Sequence, residues 1–387
     1  MKICLVHNEY ARPSGEETVV RDIRNLLQTH GHQVVPFTRS SAEIADMPLG
    51  KLRSFFTGIY SPRSRREFRR LLRPQQPDLV HIHNLFPLIS PSIIPECTSF
   101  GIPVVMTTHN YRLVCPGGLH LVRGQLCEKC LGGREYRCLL KNCQQNIFKS
   151  LGYALRSYIA RSRRFYLDHV CQYAALSEFQ KNRLVAAGFP ASRISVIPNM
   201  VFDLPSLPET TLGDYIAFVG RVSPEKGIET LLEAARACPD IPFKIAGDYH
   251  RLPDLSARCP ANVELIGHLS PEKLHSFYAH CRFLVVPSLW YETFGLCTVE
   301  AMLHRKPVLA SRIGSLPEIV ADNHTGFLFS PGNVPDLTEK IRYLWSRPDL
   351  CLSLGATARE KALREYSPSL YYQRLIKMYE QASTAYG

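Results

Sequence analysis

Short apolar runs alternate with stretches of helical spacing along the first half of the chain. The run KICLVH predicts a buried strand, and the helix that follows it has one apolar face formed by Val19, Ile23, Leu26 and Leu27. Gly31 ends this helix before the next apolar run, QVVPF. Further strands are predicted at PDLVHIH, IPVVMTTH, QYAALS and RISVIPN. Strands that alternate with helices predict a parallel sheet that is covered on both faces.

A second alternating set begins after a proline-rich segment. Residues 199–214 contain prolines, acids and a Gly-Asp pair, and they predict a linker. Beyond them, YIAFVGRV, FKIAG, VELIG, FLVVPS and PVLAS predict five more strands. The pattern therefore predicts two doubly wound α/β domains, at residues 1–198 and 215–366. A last helix is predicted at 367–387, and its pattern leaves open which of the two domains it packs on.

Length and composition agree with this arrangement. A chain of 387 residues is too long for one ordinary core, and contents of 45% hydrophobic and 21% charged residues are typical of globular proteins. The chain has no run of 18 apolar residues, and its N-terminus lacks the pattern of a signal peptide. We therefore expect a cytoplasmic protein without a transmembrane helix.

Charge is distributed unevenly along the chain. Residues 1–198 carry a net charge of +14, and residues 199–387 carry −2. Two segments concentrate the positive charge: residues 51–73 hold eight basic residues and one acid, and residues 156–165 hold four arginines. Aromatic residues interleave with the first segment, at Phe55, Phe56, Tyr60 and Phe68. The pattern indicates either a solvated helix surface or docking to an anionic partner such as the inner face of a membrane.

The stretch YETFGLCTVE places two acids around a glycine at the end of a predicted strand. Gly295 lies where a helix is predicted to begin, and such a helix terminus binds anions at the carboxyl edge of a doubly wound sheet. Glu292 precedes the expected phosphate position, and Glu300 lies about one and a half turns into the helix. Carboxylates accept hydrogen bonds from paired hydroxyls. The spacing therefore predicts a nucleotide-sugar site, with a sugar on one side and a ribose on the other.

Two cations complete this predicted site. In VGRVSPEKG, Arg221 lies at the end of a strand and Lys226 lies in the loop before a helix. Both suit a diphosphate, whose negative charge grows as it departs. Taken alone, the two would be read as solvated loop charges, but together with Gly295 they predict a donor site.

The same segments resemble a known enzyme family. GRVSPEKGIETLLEAA, ETFGLCTVEAM and GSLPEIVADNHTGFLF, together with HNYRLVCPGG and SEFQKNRLVAAGFPASRISVIPN, resemble the family 4 retaining glycosyltransferases of GT-B fold. The signature of that family is Glu-x7-Glu, here Glu292 to Glu300. The resemblance runs through nearly the whole chain. It implies two Rossmann-like domains that face a cleft, with the first on the acceptor side and the last helix crossing back to it.

The resemblance also implies roles for individual residues. Arg221 and Lys226 bind the donor diphosphate, Glu292 binds the transferred sugar and Glu300 binds the ribose. The backbone at Phe294, Gly295 and Leu296 contacts the phosphates and the sugar. His109 lines the sugar pocket, and Gly15, which follows Ser14, belongs to a loop over the diphosphate.

The resemblance implies retention of anomeric configuration, and we favour front-face attack as its mechanism. Because the chain contains no Asp-x-Asp, we expect catalysis that requires no metal cofactor. A separate cysteine-rich insertion at 115–143 contains Cys-x-x-Cys spacing. That spacing is typical either of a structural zinc site or of reduced thiols without a ligand. The five candidate ligands are Cys115, Cys127, Cys130, Cys138 and Cys143.

We therefore predict a glycosyltransferase that moves a sugar from a nucleotide-diphosphate donor to a lipid-linked or growing glycan, as in cell-surface polysaccharide biosynthesis. The alternative within the same fold is a nucleotide-sugar epimerase, which would convert its donor without an acceptor. Nucleic-acid binding through the basic segments is not expected, because no recognition motif accompanies them.

Overall fold

Parallel strands form both main sheets of the protein. The computed structural model describes residues 1–11, 15–48, 50–203, 212–250 and 252–386, without the side chains of residues 51 and 52. These residues form two compact units: Met1–Arg123, Cys127–Asn199 and Ser369–Gly387 form the first, and Gly124–Leu126 and Met200–Pro368 form the second. Half of the predicted linker, residues 204–211, lies outside the described residues.

The first unit contains a six-stranded sheet. Its strands and the short strands of the cysteine-rich segment are β1 (Lys2–Glu9), β2 (Gln33–Ser40), β3 (Leu79–Asn84), β4 (Val104–Thr108), β5 (Leu121–Val122), β6 (Gln125–Leu126), β7 (Gln172–Ala175) and β8 (Ile194–Val196). The helices are α1 (Gly15–Thr29), α2 (Glu43–Asp46), α3 (Gly50–Ile59), α4 (Pro62–Gln75), α5 (Ile94–Ser99), α6 (Tyr136–Leu140), α7 (Ile147–Ser162), α8 (Phe165–His169) and α9 (Glu178–Ala186). Short 3-10 helices occupy Pro91–Ile93 and Ala191–Arg193.

The second unit repeats the architecture. Its strands are β9 (Tyr215–Val219), β10 (Phe243–Ala246), β11 (Val263–Gly267), β12 (Cys281–Val286), β13 (Val308–Ser311) and β14 (Gly326–Phe329). Its helices are α10 (Ile228–Ala237), α11 (Leu255–Arg258), α12 (Pro271–His280), α13 (Leu296–Leu303), α14 (Leu316–Ile319), α15 (Val334–Trp345) and α16 (Pro348–Glu365), with a 3-10 helix at Pro224–Lys226. The last helix of the chain is α17 (Pro368–Thr384).

Strand order gives both sheets a doubly wound topology. The first sheet runs β2-β1-β3-β4-β7-β8 and the second runs β11-β10-β9-β12-β13-β14, with parallel pairing throughout. All six residues of β3 are buried, as expected for a strand covered on both faces. The predicted pair of parallel α/β domains is confirmed. Strand β14 is an addition, since its four residues GFLF were not predicted as a strand.

Helix faces follow the predicted apolar spacing in α1 and α10. The four predicted positions of α1 are all buried, as are Ile228, Leu231, Leu232 and Ala235 of α10. In α17 the buried face contains Tyr371, Leu375, Met378 and Tyr379, whereas Tyr372 is only half-buried. The α17 residues from Ser369 onward belong to the first unit, where the Tyr379 hydroxyl lies 2.8 Å from His81 Nδ1.

Candidate donor site

Three loops of the second unit meet at the carboxyl edge of its sheet. They follow β9, β12 and β13, which are neighbours in the strand order, and the order reverses at β9 and β12. The Leu289 amide donates to the Glu225 carbonyl at 2.9 Å, and the Ser315 amide donates to the Glu292 carbonyl at 3.0 Å. The Ser315 hydroxyl also donates to the Phe294 carbonyl at 3.0 Å. The middle loop is therefore fixed from both sides, at the switch point where doubly wound sheets bind ligands.

Two glycines permit this close approach of the loops. Gly227 has φ 74°, and a Cβ there would lie 1.7 Å from the Pro287 carbonyl oxygen. Gly314 has φ 60°, and a Cβ there would lie 2.5 Å from the backbone nitrogen of Glu292. Backbone atoms cannot yield as a flexible side chain can, so both positions require glycine.

Glu292 is the polar centre of the middle loop. Its side chain is buried, and one carboxylate oxygen, Oε1, accepts three hydrogen bonds. The donors are Lys226 Nζ at 2.6 Å, Ser288 Oγ at 2.6 Å and Trp290 Nε1 at 2.9 Å. Donors of this kind hold a carboxylate in one position.

Lys226 joins the first loop to this centre. Its ammonium group forms an ion pair with Glu292, and its side chain is 20% exposed. The same nitrogen lies 5.3 Å from the centroid of the Trp290 ring, within the range of a cation–π contact. The structure therefore brings Lys226 and Glu292 together, as two parts of the predicted site.

Arg221 lies apart from this pair. Its side chain is 55% exposed, and its guanidinium lies 3.3 Å from Glu225 on the same loop. It therefore remains accessible for an anionic ligand near the end of β9.

Glu300 lies on α13, the helix that begins after the middle loop. The buried Tyr278 hydroxyl donates to Glu300 Oε2 at 2.8 Å. Burial raises the pKa of Tyr278, and the Glu300 carboxylate raises it further. Tyr278 thus stays protonated and orients Glu300, a partner that has no signal in the sequence.

The start of α13 has the features of an anion site. Gly295 caps this eight-residue helix with φ 84° and has no side chain to satisfy the terminal amides of Leu296 and its neighbours. Thr298 is fully buried, and its hydroxyl has no hydrogen-bond partner among the residues that the structure describes. A Cβ at Gly295 would lie 3.3 Å from that hydroxyl oxygen. An unpaired buried hydroxyl beside a helix N-terminus is an additional donor for a bound phosphate.

His109 lies in the first unit, at the end of β4, within a group of histidines. His83 Nδ1 and His109 Nε2 are 2.9 Å apart, and His81 Nε2 lies 2.8 Å from the Thr107 hydroxyl. Burial lowers the pKa of His109 to about 3, and His7 lowers it further while Glu17 opposes the shift. His109 is therefore neutral at pH 7 and suits hydrogen bonding better than charge stabilisation.

Gly15 is the first residue of α1, and Ser14 before it lies outside the described residues. The next residue, Glu16, accepts a hydrogen bond from the Tyr10 hydroxyl at 3.1 Å. Burial raises the pKa of Glu16 to about 7, against the opposing effects of His7 and Arg112. The first turn of α1 therefore carries a titratable acid that the sequence analysis did not single out.

The five cysteines of the insertion lie near one another. Cys130 and Cys138 belong to a small buried cluster against which Cys143 packs, and the Lys141 ammonium lies 3.5 Å from Cys127 Sγ. Burial raises the pKa of Cys130 to about 12, with further contributions from Cys115, Cys143 and Cys127. Within the described ranges, no group of three or more His, Cys, Asp or Glu residues is arranged to hold a metal ion. A structural zinc stays a prediction.

Comparison with known families agrees with this geometry. The model described as "Glycosyltransferase Family 4" matches residues 13–202, and "Glycosyl transferases group 1" matches residues 205–361. The two matches divide the chain where the two units divide. With the fold, they support membership of a family 4-like group of glycosyltransferases.

Individual relatives resemble this chain over only part of their length. The chain is 37% identical over 177 residues to an uncharacterized glycosyltransferase of Methanocaldococcus jannaschii. The aligned region covers 44% of this chain and 50% of that protein. It is 27% identical over 282 residues to a 42.6 kDa protein from the cps region of Klebsiella pneumoniae, which covers 70% of this chain and 67% of that one. The chain thus spans half to two thirds of the length of these relatives.

Solved structures share the fold along nearly the full length. Sucrose-phosphate synthase from Thermosynechococcus elongatus superposes with a TM-score of 0.74 at 18% identity and 99% coverage of both chains. HepE from Anabaena, solved with UDP and glucose, superposes with a TM-score of 0.68 at 19% identity, covering 97% of this chain and 98% of HepE. These similarities confirm the expected GT-B fold.

Proposed function

We propose that this protein is a retaining glycosyltransferase that transfers a sugar from a nucleotide-diphosphate donor. The observation that carries the proposal is the Lys226–Glu292 pair, which lies at the switch point of the second sheet. One cation and one carboxylate at that edge suit the two parts of a nucleotide sugar, its phosphates and its sugar hydroxyls. The complexes of HepE with UDP and glucose support a nucleotide-sugar donor for this chain as well.

Each residue of the site has a proposed role. Lys226 and Arg221 stabilise the diphosphate, and the amides from Phe294 to Leu296 contact its oxygens and the sugar. Glu292 holds the hydroxyls of the transferred sugar, and Glu300 holds those of the ribose. The Glu-x7-Glu spacing would then span the donor from one end to the other.

The two residues of the first unit keep the roles that the family resemblance implies. His109, neutral at pH 7, offers hydrogen bonds to the sugar, and Gly15 belongs to the loop over the diphosphate.

The proposed chemistry is a front-face substitution. The bond from the anomeric carbon to the diphosphate breaks, and a bond from that carbon to the acceptor oxygen forms on the same face. The departing phosphate oxygen takes the proton of the acceptor hydroxyl, so no separate base is needed. Fixed cations stabilise the growing charge on the diphosphate more than the ground state. Because these cations come from the protein and the sequence contains no Asp-x-Asp, we propose that catalysis requires no metal.

The class of acceptor is proposed from one relative. The relative from the cps region of Klebsiella pneumoniae supports a role in polysaccharide assembly, with a growing or lipid-linked glycan as acceptor. The comparisons offer no support for an epimerase.

A panel of nucleotide sugars tests the proposal. With glycan acceptors present, one donor should release its nucleoside diphosphate and transfer its sugar, and Arg221→Ala should lower turnover about 100-fold. Conversion of the donor without any acceptor would indicate an epimerase instead. Near-normal turnover in Arg221→Ala would remove that residue from the site.

A further inference from the structure

Helix α7 presents large apolar side chains to solvent. Its exposed residues, at relative positions i, i+1, i+4, i+8 and i+11, fall within about 100° of the helix circumference. They are Ile147 (50% exposed), Phe148 (74%), Leu151 (40%), Leu155 (37%) and Tyr158 (52%). The buried side is made mainly of smaller residues: Ser150, Gly152, Ala154, Arg156 and Ala160. A helix in water normally has the opposite arrangement, so this face is made for a partner.

The neighbouring helices extend this surface. Phe56 on α3 is 59% exposed and Tyr60 just after it is 41% exposed, while Tyr136 and Leu140 on α6 are 53% and 71% exposed. Helices α3 and α6 both pack on α7. The contact with α3 is close, since a Cβ at Gly152 would lie 2.4 Å from the ring of Phe55. We call these nine exposed side chains on α3, α6 and α7 the apolar patch.

The apolar patch stands out from the rest of the surface. Nine of the 16 large hydrophobic residues that are exposed in the described part of the chain belong to it. Single exposed apolar residues are normal, but nine of them on three packed helices indicate an interaction site.

Positive charge surrounds the patch. Residues 129–167 contain nine basic residues and a single acid, Glu135. That acid pairs with Arg161 at 2.6 Å and so neutralises one of the nine. Exposed cations on the same helices include Arg53, Arg137 and Lys149. A second copy of the chain would bring like charges together, whereas an anionic surface would attract them.

The arginine-rich segment that the sequence singled out contributes less than expected. Arg69 Nε lies 2.9 Å from the buried carboxylate of Glu96, and Arg65 pairs with the same group. Arg63 lies 2.7 Å from Glu67, and Phe68 is fully buried in the core. Two carboxylates thus offset two of the eight positive charges of this segment within the protein.

The second arginine-rich segment shows the same pattern. Arg156 is buried and donates to the Pro116 carbonyl at 3.1 Å, and Arg164 lies 2.8 Å from Asp168. Arg156 and Arg164 are therefore engaged within the protein, and a lipid contact by the two arginine-rich segments stays a prediction.

We propose that the apolar patch inserts into the headgroup region of an anionic lipid bilayer, with the cations of α3, α6 and α7 on the phosphates. Interfacial binding of this kind combines apolar burial with attraction to acidic headgroups. No helix in the described ranges is both long and apolar enough to cross a membrane. The proposal concerns the first unit alone and does not depend on the proposed enzymatic function.

Vesicle sedimentation of the full chain tests the proposal. The variant Phe148→Ser/Leu151→Ser removes two central side chains of the patch. Its matched control, Val185→Ser/Leu352→Ser, removes two side chains with 39% and 37% exposure on α9 and α16. The lipids are phosphatidylcholine alone and an equal mixture of phosphatidylcholine and phosphatidylglycerol. Urea unfolding of each variant confirms that it is folded.

We expect the wild type and the control to bind the mixed vesicles, and high salt to weaken the binding. The patch variant should need at least about tenfold more lipid than the wild type for half-maximal binding. Lys149→Glu/Arg163→Glu should weaken binding to the mixed vesicles only.

Equal binding of the patch variant and the control would overturn the proposal, as would equal binding of the wild type to both kinds of vesicle. Light scattering tests the alternative that a second copy of the chain, and not a lipid, covers the apolar patch. A wild-type dimer that the patch variant converts to monomer, without lipid binding by either, would also overturn it.

Discussion

The Glu292→Gln substitution tests whether the ion pair at the proposed donor site is as buried as the geometry indicates. The change keeps the shape of the side chain and an oxygen for the Ser288 and Trp290 donors, but it removes the charge opposite Lys226. The two charged atoms are 2.6 Å apart, so their attraction is about 6 kcal/mol at an effective dielectric constant of 20. The substitution also removes the cost of burying a charged carboxylate, and this gain offsets part of the lost attraction.

We therefore expect Glu292→Gln to lower the free energy of unfolding by about 3 kcal/mol, the lower end of the range for breaking a buried pair. For a unit of this size, that corresponds to a decrease of about 6–12 °C in melting temperature. The chain has two tryptophans, Trp290 and Trp345, and both lie in the second unit. Urea unfolding followed by tryptophan fluorescence therefore reports on that unit specifically.

A surface pair in the same unit provides the control. Glu264 lies 3.4 Å from Lys244 and its side chain is 62% exposed, so Glu264→Gln should cost no more than about 1 kcal/mol. Lys226→Met/Glu292→Gln should be more stable than the sum of its single changes predicts, because it removes both buried charges. If Glu292→Gln costs no more than Glu264→Gln, or if the double change is additive, the buried-pair reasoning is wrong.

The remaining predictions concern catalysis, metal and pH. Lys226→Ala should lower turnover about 100-fold, and wild-type turnover should survive excess EDTA; normal activity in the variant, or loss that Mg²⁺ restores, would contradict the mechanism. If the insertion holds zinc, the purified wild type should contain it and Cys127→Ser/Cys130→Ser should not, whereas negligible zinc in both would end that hypothesis. Burial lowers the pKa values of His81 and His109 from 6.5 to about 3, so the unfolded chain binds protons first as the pH falls. The contribution of these two histidines should therefore be full above pH 6.5 and decrease toward pH 3, by about 2 kcal/mol per histidine at pH 5, and together they outweigh the opposite effect of Glu16, whose pKa is raised to about 7. Equal urea midpoints at pH 7 and pH 5 would contradict this.

Local sequence was sufficient for most strands and helices of the second unit, although it missed β14. Strand and helix patterns depend on residues that are close along the chain, and so does the relation of Glu292 and Gly295 to the start of α13. Contacts between distant segments had no such signal. Tyr278 reaches Glu300 from another helix, and the role of Gly314 appears only once its loop lies against Glu292.

The same limit applies to the basic segment, whose docking role stays a prediction. Charge counts do not show which arginines have partners, and Glu96, which neutralises Arg65 and Arg69, is 31 and 27 residues away along the chain. Phe68, which interleaves with these basic residues in the sequence, packs against Phe37 in the core. Whether the α7 face is exposed likewise depends on which distant segments pack against it, and the local sequence does not show this.

The return of α17 to the first unit has a consequence for biosynthesis. The residues that complete this unit, from Ser369 onward, leave the ribosome only after all of the second unit has been translated. At ordinary elongation rates the intervening stretch takes roughly 10–30 s. During that interval the nascent first unit exposes the surface later covered by Leu375 and Tyr379, and His81 lacks its tyrosine partner. Maturation of the first unit is thus tied to synthesis of the second, and a ribosome stalled between them carries an unfinished fold that quality-control proteases can recognise.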